Sequence, residues 1–335
     1  MNWGNGFTAS YYAYIVDAKT WRETELLQIT DGSISRTNSG LRDSADITCV
    51  NYKDREQYVR VYLDVQQSGA SEHVPIFTGL TSAPSRDIDG IIETNKIECY
   101  SVLKAAEDVL LQRGYYVPAE VDGGRIIQDL LSVTPAPVEV VGESPALQTS
   151  VIAEDGENHL SMVDKVLNAI NWRMRILGNG TIQILPQADE SVRTFDPFTA
   201  DVLEPELTIT RDWYDCPNVL RAVSGDLVAV ARDDSIGSPL STVNRGREVW
   251  AEESNVALNT GESIAEYALR RLKELQLIET TASYTRRYDP DVLVSDRVRL
   301  NYPKQSLNGV YEITSQKITM GYGCTTDEEV KYVGK

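Results

Sequence analysis

Residues 261–313, GESIAEYALRRLKELQLIETTASYTRRYDPDVLVSDRVRLNYPKQSLNGVYEI, contain a predicted amphipathic helix followed by strand-forming segments. Apolar residues recur at helical spacing and form one stripe, which consists of Ile264, Ala268, Leu272 and Leu275. Ser263 and Glu266 have the spacing of a capping box, which satisfies two backbone N–H groups at the start of a helix. The stripe and the box together predict a helix over about residues 261–277.

Three β-prone segments follow this helix, at residues 280–284, 289–300 and 309–313. In the last two, apolar residues partly alternate with polar ones, which is typical of half-buried strands. Nothing in the stretch is a nucleophile, a base or a metal ligand arranged for chemistry. It therefore favours a structural role over an enzymatic one.

Length and composition indicate a soluble globular protein of more than one domain. A chain of 335 residues is too long for most single cores, and 41% hydrophobic with 24% charged residues is an ordinary globular composition. No apolar run approaches the roughly 18 residues of a membrane-spanning helix. Residues 1–6 lack the basic and apolar regions of a secretory signal. We therefore expect a protein that is made in a cytoplasm and stays there, or leaves by cell lysis.

The net charge of −18 and the pI near 4.6 predict a surface that repels nucleic acid. Two interpretations of this charge remain open. In the first, the acidic residues serve only solubility. In the second, they form a lining over which nucleic acid passes without binding.

Residues 9–100 are predicted to be mainly β. The strand candidates are 11–16, 21–29, 33–37, 45–50, 58–65, 74–80 and 95–99. Asp31-Gly32 predicts a turn between the second and third candidates. Several short strands at this spacing favour a barrel or a sandwich.

Two helices are predicted after this β-rich block. The first starts at Ser101, carries an apolar face that includes Val109, and ends at Gly114. The second covers about residues 124–131 and has Asp122 as its cap. The middle of the chain is therefore predicted to be of mixed α and β structure.

The remainder of the chain returns to β structure. Residues 133–147 contain three prolines and are predicted to be a linker or an extended loop. Residues 158–186 have an α-β-β pattern with a hairpin turn at Gly178-Asn179-Gly180. Residues 232–258 are polar and predict a surface excursion. Further strands are predicted at 207–211, 219–223 and 227–231.

No residue set has the pattern of a catalytic, cofactor-binding or metal-binding site. His73 lies in a polar loop and His159 at a helix start, so both are predicted surface or capping residues. There is no H-E-x-x-H, G-x-S-x-G or G-x-x-x-x-G-K motif. We therefore predict no catalytic residue, no cofactor and no metal. Widely separated cysteines are expected to be buried free thiols: Cys49, Cys99, Cys216 and Cys324.

Three weaker features have two interpretations each. Asp289 and Asp291 could serve glycoside hydrolysis, but such pairs are expected by chance among 50 acidic residues. The segment Asp87-Ile88-Asp89-Gly90 lacks the later glutamate of a calcium loop and predicts a hairpin turn. Tyr11-Tyr12 and Tyr115-Tyr116 suit either a sugar-binding surface or positions on strand faces and in subunit interfaces, and the second interpretation is favoured.

Taken in order, these segments resemble the baseplate hub proteins of long-tailed bacteriophages, the late-control protein D group. The resemblance rests on loose motifs that follow one another over most of the chain: Ser39-Gly40, 45–49, 60–63, 75–79, 97–101, Asn218-Val219, 265–275, 296–298 and 309–313. None of these motifs is catalytic. The family usually has Gly-Asp where this chain has Ser295-Asp296, so a different turn is expected there.

The resemblance implies a mainly β fold with α/β insertions, in which two tube-type β-barrel domains carry smaller α+β decorations. Three subunits would then supply six barrels, which match a six-fold tail tube above and a three-fold spike below. The implied domains are a first barrel at 1–110, an α+β insertion at 111–205, a second barrel at 206–235 with 280–335, and an excursion at 236–279.

The implied function is a structural, non-enzymatic baseplate hub of a phage tail or a related contractile injection particle, which joins the tube to the spike and forms part of the DNA channel. The implied partners are two further copies in a homotrimer, the tail tube or distal tail protein, the central spike protein and the tape-measure protein. DNA would pass without binding. The implied location is the virion baseplate, with assembly in the host cytoplasm. A cell-wall hydrolase and a host-glycan-binding tail-tip module remain the alternatives.

Overall fold

The computed structural model describes residues 1–50, 52–53, 55–90, 92–187, 190–196, 198, 208–224, 227–254, 263–276, 279–305 and 307–334. The chain forms two compact units, which we call unit 1 (Met1–Leu207 and Ser283–Lys335) and unit 2 (Thr208–Ala282). The structure is 50% strand and 15% helix, which confirms the predicted mainly β class with smaller helical parts. Among the described residues, no helix is long and apolar enough to cross a membrane.

The N-terminal part of unit 1 is a closed antiparallel barrel, which we call the first barrel. Each of six strands pairs with two others in the cyclic order β1-β4-β5-β7-β3-β2, and β2 returns to β1. Strand β6 forms a hairpin with β7 outside this circuit. The strands are β1 (Thr8–Val16), β2 (Glu23–Thr37), β3 (Asp43–Val50), β4 (Tyr58–Gln67), β5 (Ala70–Thr81), β6 (Ser85–Asp89) and β7 (Ile92–Ser101).

Apolar side chains fill the interior of the first barrel. On β4, four alternate residues are fully buried: Val59, Val61, Leu63 and Val65. The predicted period of two along residues 58–65 is therefore confirmed, because inward and outward side chains alternate on a strand. Among the described residues, the interior of the barrel is therefore a packed core of side chains.

The turn predicted at Asp31-Gly32 is wrong. Strand β2 continues through both residues, with a bulge between Ile29 and Asp31 opposite β3. A Cβ atom on Gly32 would lie 2.6 Å from the carbonyl oxygen of Asp46. Glycine is present here because two backbones approach closely, which is a role of glycine inside strands that composition does not distinguish from a turn.

A second β region of unit 1 continues from the first barrel through β2. The C-terminal half of β2 pairs with β20, so the two regions share one hydrogen-bonded sheet. Strand β20 also pairs with β19 and β21, and β13 pairs in parallel with β19. These strands are β13 (Ser191–Phe195), β18 (Glu279–Arg287, across the unit boundary), β19 (Arg297–Tyr302), β20 (Leu307–Met320) and β21 (Thr325–Gly334).

An α+β insertion occupies the middle of unit 1. Its helices and the sheet β11-β12-β9 enclose an apolar core. The predicted α-β-β pattern of residues 158–186 and the Asp122 cap are confirmed. The elements are α1 (Lys104–Asp108), β8 (Tyr116–Val117), α2 (Gly123–Leu131), β9 (Val138–Val140), β10 (Val151–Ile152), α3 (His159–Ile170), β11 (Trp172–Ile176) and β12 (Ile182–Pro186).

Three predicted elements of unit 1 differ from the structure. The first helix is one turn, because the backbone of Val109 turns extended and accepts a hydrogen bond from His159 N. Residues 133–147 are not only a linker, since β9 pairs in parallel with β12. The strand predicted over 289–300 begins only at Arg297, after a buried loop. In each case long-range pairing outweighs local propensity.

Unit 2 contains a three-stranded sheet covered on one face by helix α5. Helix α5 begins with the predicted capping box, and its apolar stripe packs against β15 and β16. Gly261, Glu262 and residue 277 of the predicted helix lie outside the described residues. The elements are β14 (Thr208–Asp212), β15 (Val219–Ser224), β16 (Leu227–Arg232), α4 (Thr242–Arg245), β17 (Trp250–Glu253) and α5 (Ile264–Leu275).

The division into domains at residues 110, 205, 235 and 279 stays a prediction as a whole. At one place the observed pairing differs from it. Strands β15 and β16, which were assigned to a second barrel, pair with each other and with β17 in a sheet separate from the large one. The Leu207 start of the predicted strand and the boundary at 205 lie outside the described residues.

Candidate functional site

The structure places the two histidines in separate surroundings. His73 lies exposed on β5, with Nδ1 3.3 Å from both the Tyr12 hydroxyl and Asp64 Oδ1. His159 opens helix α3, and its Nδ1 lies 2.8 Å from the carbonyl oxygen of Leu130. The cap of that helix is the neighbouring Asn158 side chain, so the predicted capping role of His159 is wrong, and His159 is partly exposed.

Of the two carboxylates considered for hydrolysis, that of Asp289 makes structural contacts. Asp289 Oδ2 accepts hydrogen bonds from Arg193 Nε and Nη2 at 3.1 and 3.0 Å, and Asp289 Oδ1 accepts one from Asp291 N at 3.0 Å. Within the described ranges no cluster of three or more His, Cys, Asp or Glu side chains could hold a metal ion. The prediction of no catalytic, cofactor or metal residue stays a prediction.

The four cysteines are free and buried, as predicted. Burial raises the pKa of Cys49 and of Cys324 to about 11, and it raises the pKa of Cys99 further. These three thiols therefore stay protonated near neutral pH and are poor nucleophiles. Their role is that of small apolar side chains in the barrel core.

The outer wall of the first barrel carries an aromatic patch, which we call the outer tyrosine face (Tyr12, Tyr14 and Tyr62). The rings of Tyr12 and Tyr62 stack at 5.3 Å with an interplanar angle of 6°, and Tyr14 meets both edge-on. The Tyr62 hydroxyl donates to Glu23 Oε1 at 2.5 Å, and burial together with this carboxylate raises its pKa to about 12. The face is rigid and suits contact with another molecule.

The predicted tyrosine pairs are split by the fold. Tyr12 belongs to the outer tyrosine face, whereas the hydroxyl of its neighbour Tyr11 donates to the carbonyl oxygen of Gly321 at 3.0 Å. Tyr116 is 61% exposed on the insertion, and Tyr115 is half-buried there. Neighbouring tyrosines on a strand point to opposite faces, so sequence pairs do not make one surface.

A partly buried group of charges joins the parts of unit 1. We call it the arginine junction, and it consists of Arg36, Arg42, Asp43, Asp164, Arg173, Arg175 and Asp296. Asp296 Oδ1 lies 3.1 Å from Arg173 Nη1 and 3.5 Å from Arg175 Nη1. Because Arg173 and Arg175 are on β11, they tie the insertion to the loop before β19.

The backbone of that loop explains a departure from the resembled family. Ser295, which replaces the usual glycine, has φ +68°, a left-handed conformation that favours glycine. Its carbonyl oxygen accepts a short hydrogen bond from Arg173, and its N–H donates to the carbonyl oxygen of Ile313. These contacts hold serine in a backbone conformation that favours glycine, and the expected difference from the family's turn stays a prediction.

The other end of the junction ties the first barrel to helix α3. Arg42 Nη2 donates to Asp164 Oδ1 at 2.7 Å, and Arg36 Nη2 donates to the carbonyl oxygen of Ile76 at 2.5 Å. Burial raises the pKa of Asp43 to about 7, against the opposing effects of Ser101, Arg36 and Arg42. Sequence reasoning missed this junction. Its one signal was the set of arginines that alternate with buried apolar residues on β11.

A second buried ion pair lies in the C-terminal β region. Arg286 Nη2 lies 2.5 Å from Glu328 Oε1, and Gln316 Nε2 donates to the same oxygen at 2.6 Å. The Arg286 and Glu328 side chains are both fully buried. The pair links β18, β20 and β21 across one face of the sheet.

Comparison with known proteins identifies the fold through solved structures. No protein-family model matches the chain, and no curated protein is similar to it in sequence. The tail protein of Neisseria meningitidis MC58 is similar in structure, with TM-score 0.67 and 14% identity over 98% of this chain and 97% of the other.

Two prophage proteins give the same result. The 43 kDa tail protein of prophage MuSo2 from Shewanella oneidensis has TM-score 0.65 and 12% identity over 96% and 97% of the two chains. Prophage tail protein gp18 of Listeria monocytogenes EGD-e has TM-score 0.57 and 15% identity over 97% and 95%. At these identities the likeness concerns the fold, and the chain has the fold of these phage tail proteins along nearly its whole length.

Proposed function

We propose that this chain is a structural baseplate hub of a phage tail, or of a related contractile injection particle. The observation that carries the proposal is the fold match to tail proteins over nearly the full length of both chains. A match of that extent leaves little of the chain for a separate enzyme domain. The proposed location is the virion baseplate, after assembly in the host cytoplasm.

The closed first barrel supports a role in a ring. A barrel without free edges presents its outer wall to neighbours, and the continuous sheet through β2 joins it firmly to a second β region. We propose that three copies form the hub and that each contributes two barrel-like parts to a six-fold tube contact. The other partners proposed are the tail tube or distal tail protein, the central spike and the tape-measure protein.

A reconstruction of the assembled tail tests the proposal. We expect three copies of the chain in one ring between the tube and the spike. Six copies in that ring, or a position outside the baseplate, would overturn it. The native mass of the purified chain is the complementary measurement, and it shows whether the trimer forms without its partners.

The outer tyrosine face is proposed to be part of a subunit contact. Replacing Tyr12 and Tyr14 by serine removes rigid aromatic area, so we expect reduced incorporation into tails with folding retained. Tyr116→Ser, which also removes an exposed tyrosine, is the matched control and is expected to assemble normally. Equal losses in both variants, or none in either, would place the contact elsewhere.

The acidic charge supports passage of DNA without binding. A channel wall rich in carboxylates repels phosphates, whereas Lys or Arg would hold them by charge-assisted contacts. We expect no shift of duplex DNA in a gel at about 0.15 M salt, and a net acidic wall in the reconstructed ring. A neutral or basic wall would limit the acidic residues to a solubility role.

A host-glycan-binding module is the second candidate, because stacked tyrosines beside Glu23 and Asp64 also suit a sugar ring. Selective binding on a glycan array, lost with Tyr12→Ser, would favour it over the hub contact. A cell-wall hydrolase has no comparable support among the described residues. A cleared band in a cell-wall zymogram would nevertheless overturn the non-enzymatic assignment.

A further inference from the structure

Strand β16 forms one edge of the three-stranded sheet in unit 2. Within the described part of the chain it pairs with β15 alone, so the backbone groups on its other side have no strand partner there. The pairing runs without a bulge from Leu227 to Arg232, and neither a proline nor a charged residue occupies the first five positions. Such features usually prevent an edge strand from pairing with another chain. Without them, β16 is a template for one further strand.

Apolar side chains are exposed on both faces of this edge. Ala229 and Ala231 pack toward helix α5, so Val228 and Val230 lie on the open face of the sheet, and each is 53% exposed. By the same alternation Leu227 lies on the α5 side, where it is 56% exposed. A strand added beside β16 would therefore bury apolar surface on both faces of the sheet while its backbone pairs with β16.

Helix α5 carries an exposed leucine on the side of this edge. On one flank of the helix, the Tyr267 hydroxyl donates to Glu253 of β17 at 2.8 Å. On the opposite flank, Gln276 Nε2 donates to Asp233 Oδ2 at 3.1 Å, just after β16 ends. Leu269 is seven residues before Gln276, which is nearly two helical turns, so it shares the flank that faces β16. This leucine is 52% exposed and lies beside the free edge.

Leu269 is level with the middle of β16. Glu253, which contacts the centre of α5, pairs with Ala222 on β15, and Ala222 pairs with Ala229 on β16. Ala229 and Leu269 therefore lie near the midpoints of a six-residue strand and a twelve-residue helix. Both elements are about 20 Å long. A two-fold axis at Ala229 would consequently relate the strand and the helix to their copies at the same time.

The edge is self-complementary about such an axis. Two antiparallel copies of β16 centred on Ala229 place Val228 of one copy opposite Val230 of the other, on the same face. The two α5 helices then lie side by side on the other face, about 10 Å apart, which is the ordinary spacing of packed helices. Leu269 of one helix meets Leu269 of the other close to the axis.

The charges beside Leu269 fit the same arrangement. Glu266 lies three residues before Leu269 and Lys273 lies four residues after it, and all three line one shallow recess on the helix surface. Because the two-fold axis makes the helices antiparallel, Glu266 of each copy comes near Lys273 of the other. Opposite charges therefore flank the apolar centre, and this complementarity favours a second copy of the chain over an unrelated segment.

We propose that β16 pairs with β16 of a second copy about a two-fold axis at Ala229, with the two α5 helices packed against each other. The pairing joins two three-stranded sheets into one sheet of six strands and removes the free β16 edge of each copy. The contact is small, so its dissociation constant is expected to be on the order of 10 µM. It does not depend on the hub assignment, because a two-fold pair and a three-fold ring differ in mass.

Sedimentation of the full chain over a dilution series gives the first test. The series runs from roughly 1 to 100 µM, which brackets the expected dissociation constant. We expect the mass of two chains at the upper end and of one chain at the lower end. A single-chain mass throughout would overturn the proposal and leave the edge to an extended segment of another protein. A three-chain mass throughout would overturn it as well.

A charge placed in the contact gives the second test. Val230→Lys changes a side chain that is exposed in the single chain, so the fold should be retained, which a melting curve checks. We expect its dissociation constant to rise at least about tenfold. Val243→Lys makes the same change at a 59% exposed position on α4 and is expected to dimerise as the parent does. Equal weakening in both variants, or none in either, would contradict the assigned edge.

A cysteine near the axis tests the symmetry of the pair. In Leu269→Cys, the two introduced thiols come within the reach of a disulfide bond, so mild oxidation is expected to link two chains covalently. Val243→Cys, which is remote from the edge, is expected to give no link. A dimer that is not linked through Leu269→Cys, or is linked equally through Val243→Cys, would overturn the two-fold arrangement.

Discussion

The first barrel and the C-terminal β region are both built mainly from antiparallel strands but bury different side chains. Inside the barrel, the inward face of β4 is entirely apolar, with Val61 and Leu63 fully buried. In the C-terminal region, the largest fully buried side chain is Arg286, paired with Glu328. The first barrel therefore relies on apolar burial and closure, whereas the C-terminal region buries a charge pair in addition to apolar side chains.

The two kinds of buried side chain contribute differently to the stability of the fold and to the register of its strands. Each fully buried apolar side chain contributes about 1.5–3 kcal/mol. A buried ion pair contributes little net stability, because desolvation offsets the attraction, yet losing one partner is costly. A one-residue slip of β18 or β21 would move Arg286 or Glu328 to the opposite face. We therefore expect the pair to fix strand register in the C-terminal region.

The largest expected effect is that of Arg286→Met. Methionine fills a similar volume but leaves Glu328 buried without a positive charge, with Gln316 Nε2 still donating to it. We expect a loss of about 4 kcal/mol in the free energy of unfolding, measured by urea denaturation. The double variant Arg286→Met with Glu328→Met is expected to recover most of that loss. A double variant as unstable as the single one would show that shape, not charge, governs this region.

The corresponding change in the first barrel is Leu63→Ala. It removes apolar contacts and leaves a cavity in a closed core, for an expected loss of about 3 kcal/mol in the same assay. Leu269→Ala on the 52% exposed position of α5 is the control, with an expected loss of less than about 0.5 kcal/mol. A small effect at Leu63 would mean that the barrel collapses around the cavity.

Asp43 introduces pH dependence at the end of the first barrel. Its folded pKa of about 7 is above the ordinary value of 3.8, so the folded state binds a proton more tightly. Asp43 therefore contributes its full stabilisation below the pKa that it has in the unfolded state. This contribution to the free energy of unfolding is lost as the pH rises through about 7. The groups that face it are Arg36 and Arg42 of the β2–β3 segment and Ser101 of β7.

The measurement for Asp43 compares the free energy of unfolding of the parent with that of Asp43→Asn as a function of pH. Between about pH 5 and pH 7 we expect the parent to lose roughly 2 kcal/mol more stability than the variant. Comparing the two proteins cancels the titration of all other groups. Parallel pH profiles would show that Asp43 stays ionised in the folded protein, and that the junction keeps its full complement of negative charge.

The smallest expected effect is a gain from Ser295→Gly. Because φ is +68° at this position, removing Cβ relieves strain, and we expect a gain of about 1 kcal/mol, seen as a higher melting temperature. Ser295→Ala keeps Cβ and is expected to give no gain. If both variants lose stability equally, the serine side chain itself, and not the backbone, would be what the loop requires.

The sequence predicted well wherever structure depends on local periodicity. The strand at residues 58–65, the capping box of Ser263 and the apolar stripe of α5 are all as predicted. Predictions from local sequence patterns were wrong where a distant segment of the chain determines the backbone conformation. Gly32 is inside a strand because β3 passes close by, and Val109 leaves its helix because the start of α3 bonds to it.

The sequence by itself determined the mainly β class, the helix faces, the buried thiols and the resemblance to tail hub proteins, because these follow from residue types and their spacing. Only the tertiary structure decided that the first barrel closes and that β2 carries the sheet into the C-terminal region. It alone brought Arg36, Arg42 and Asp43 together with β11 and the loop before β19. The physical reason is that burial and ion pairing depend on distances between residues far apart in the chain.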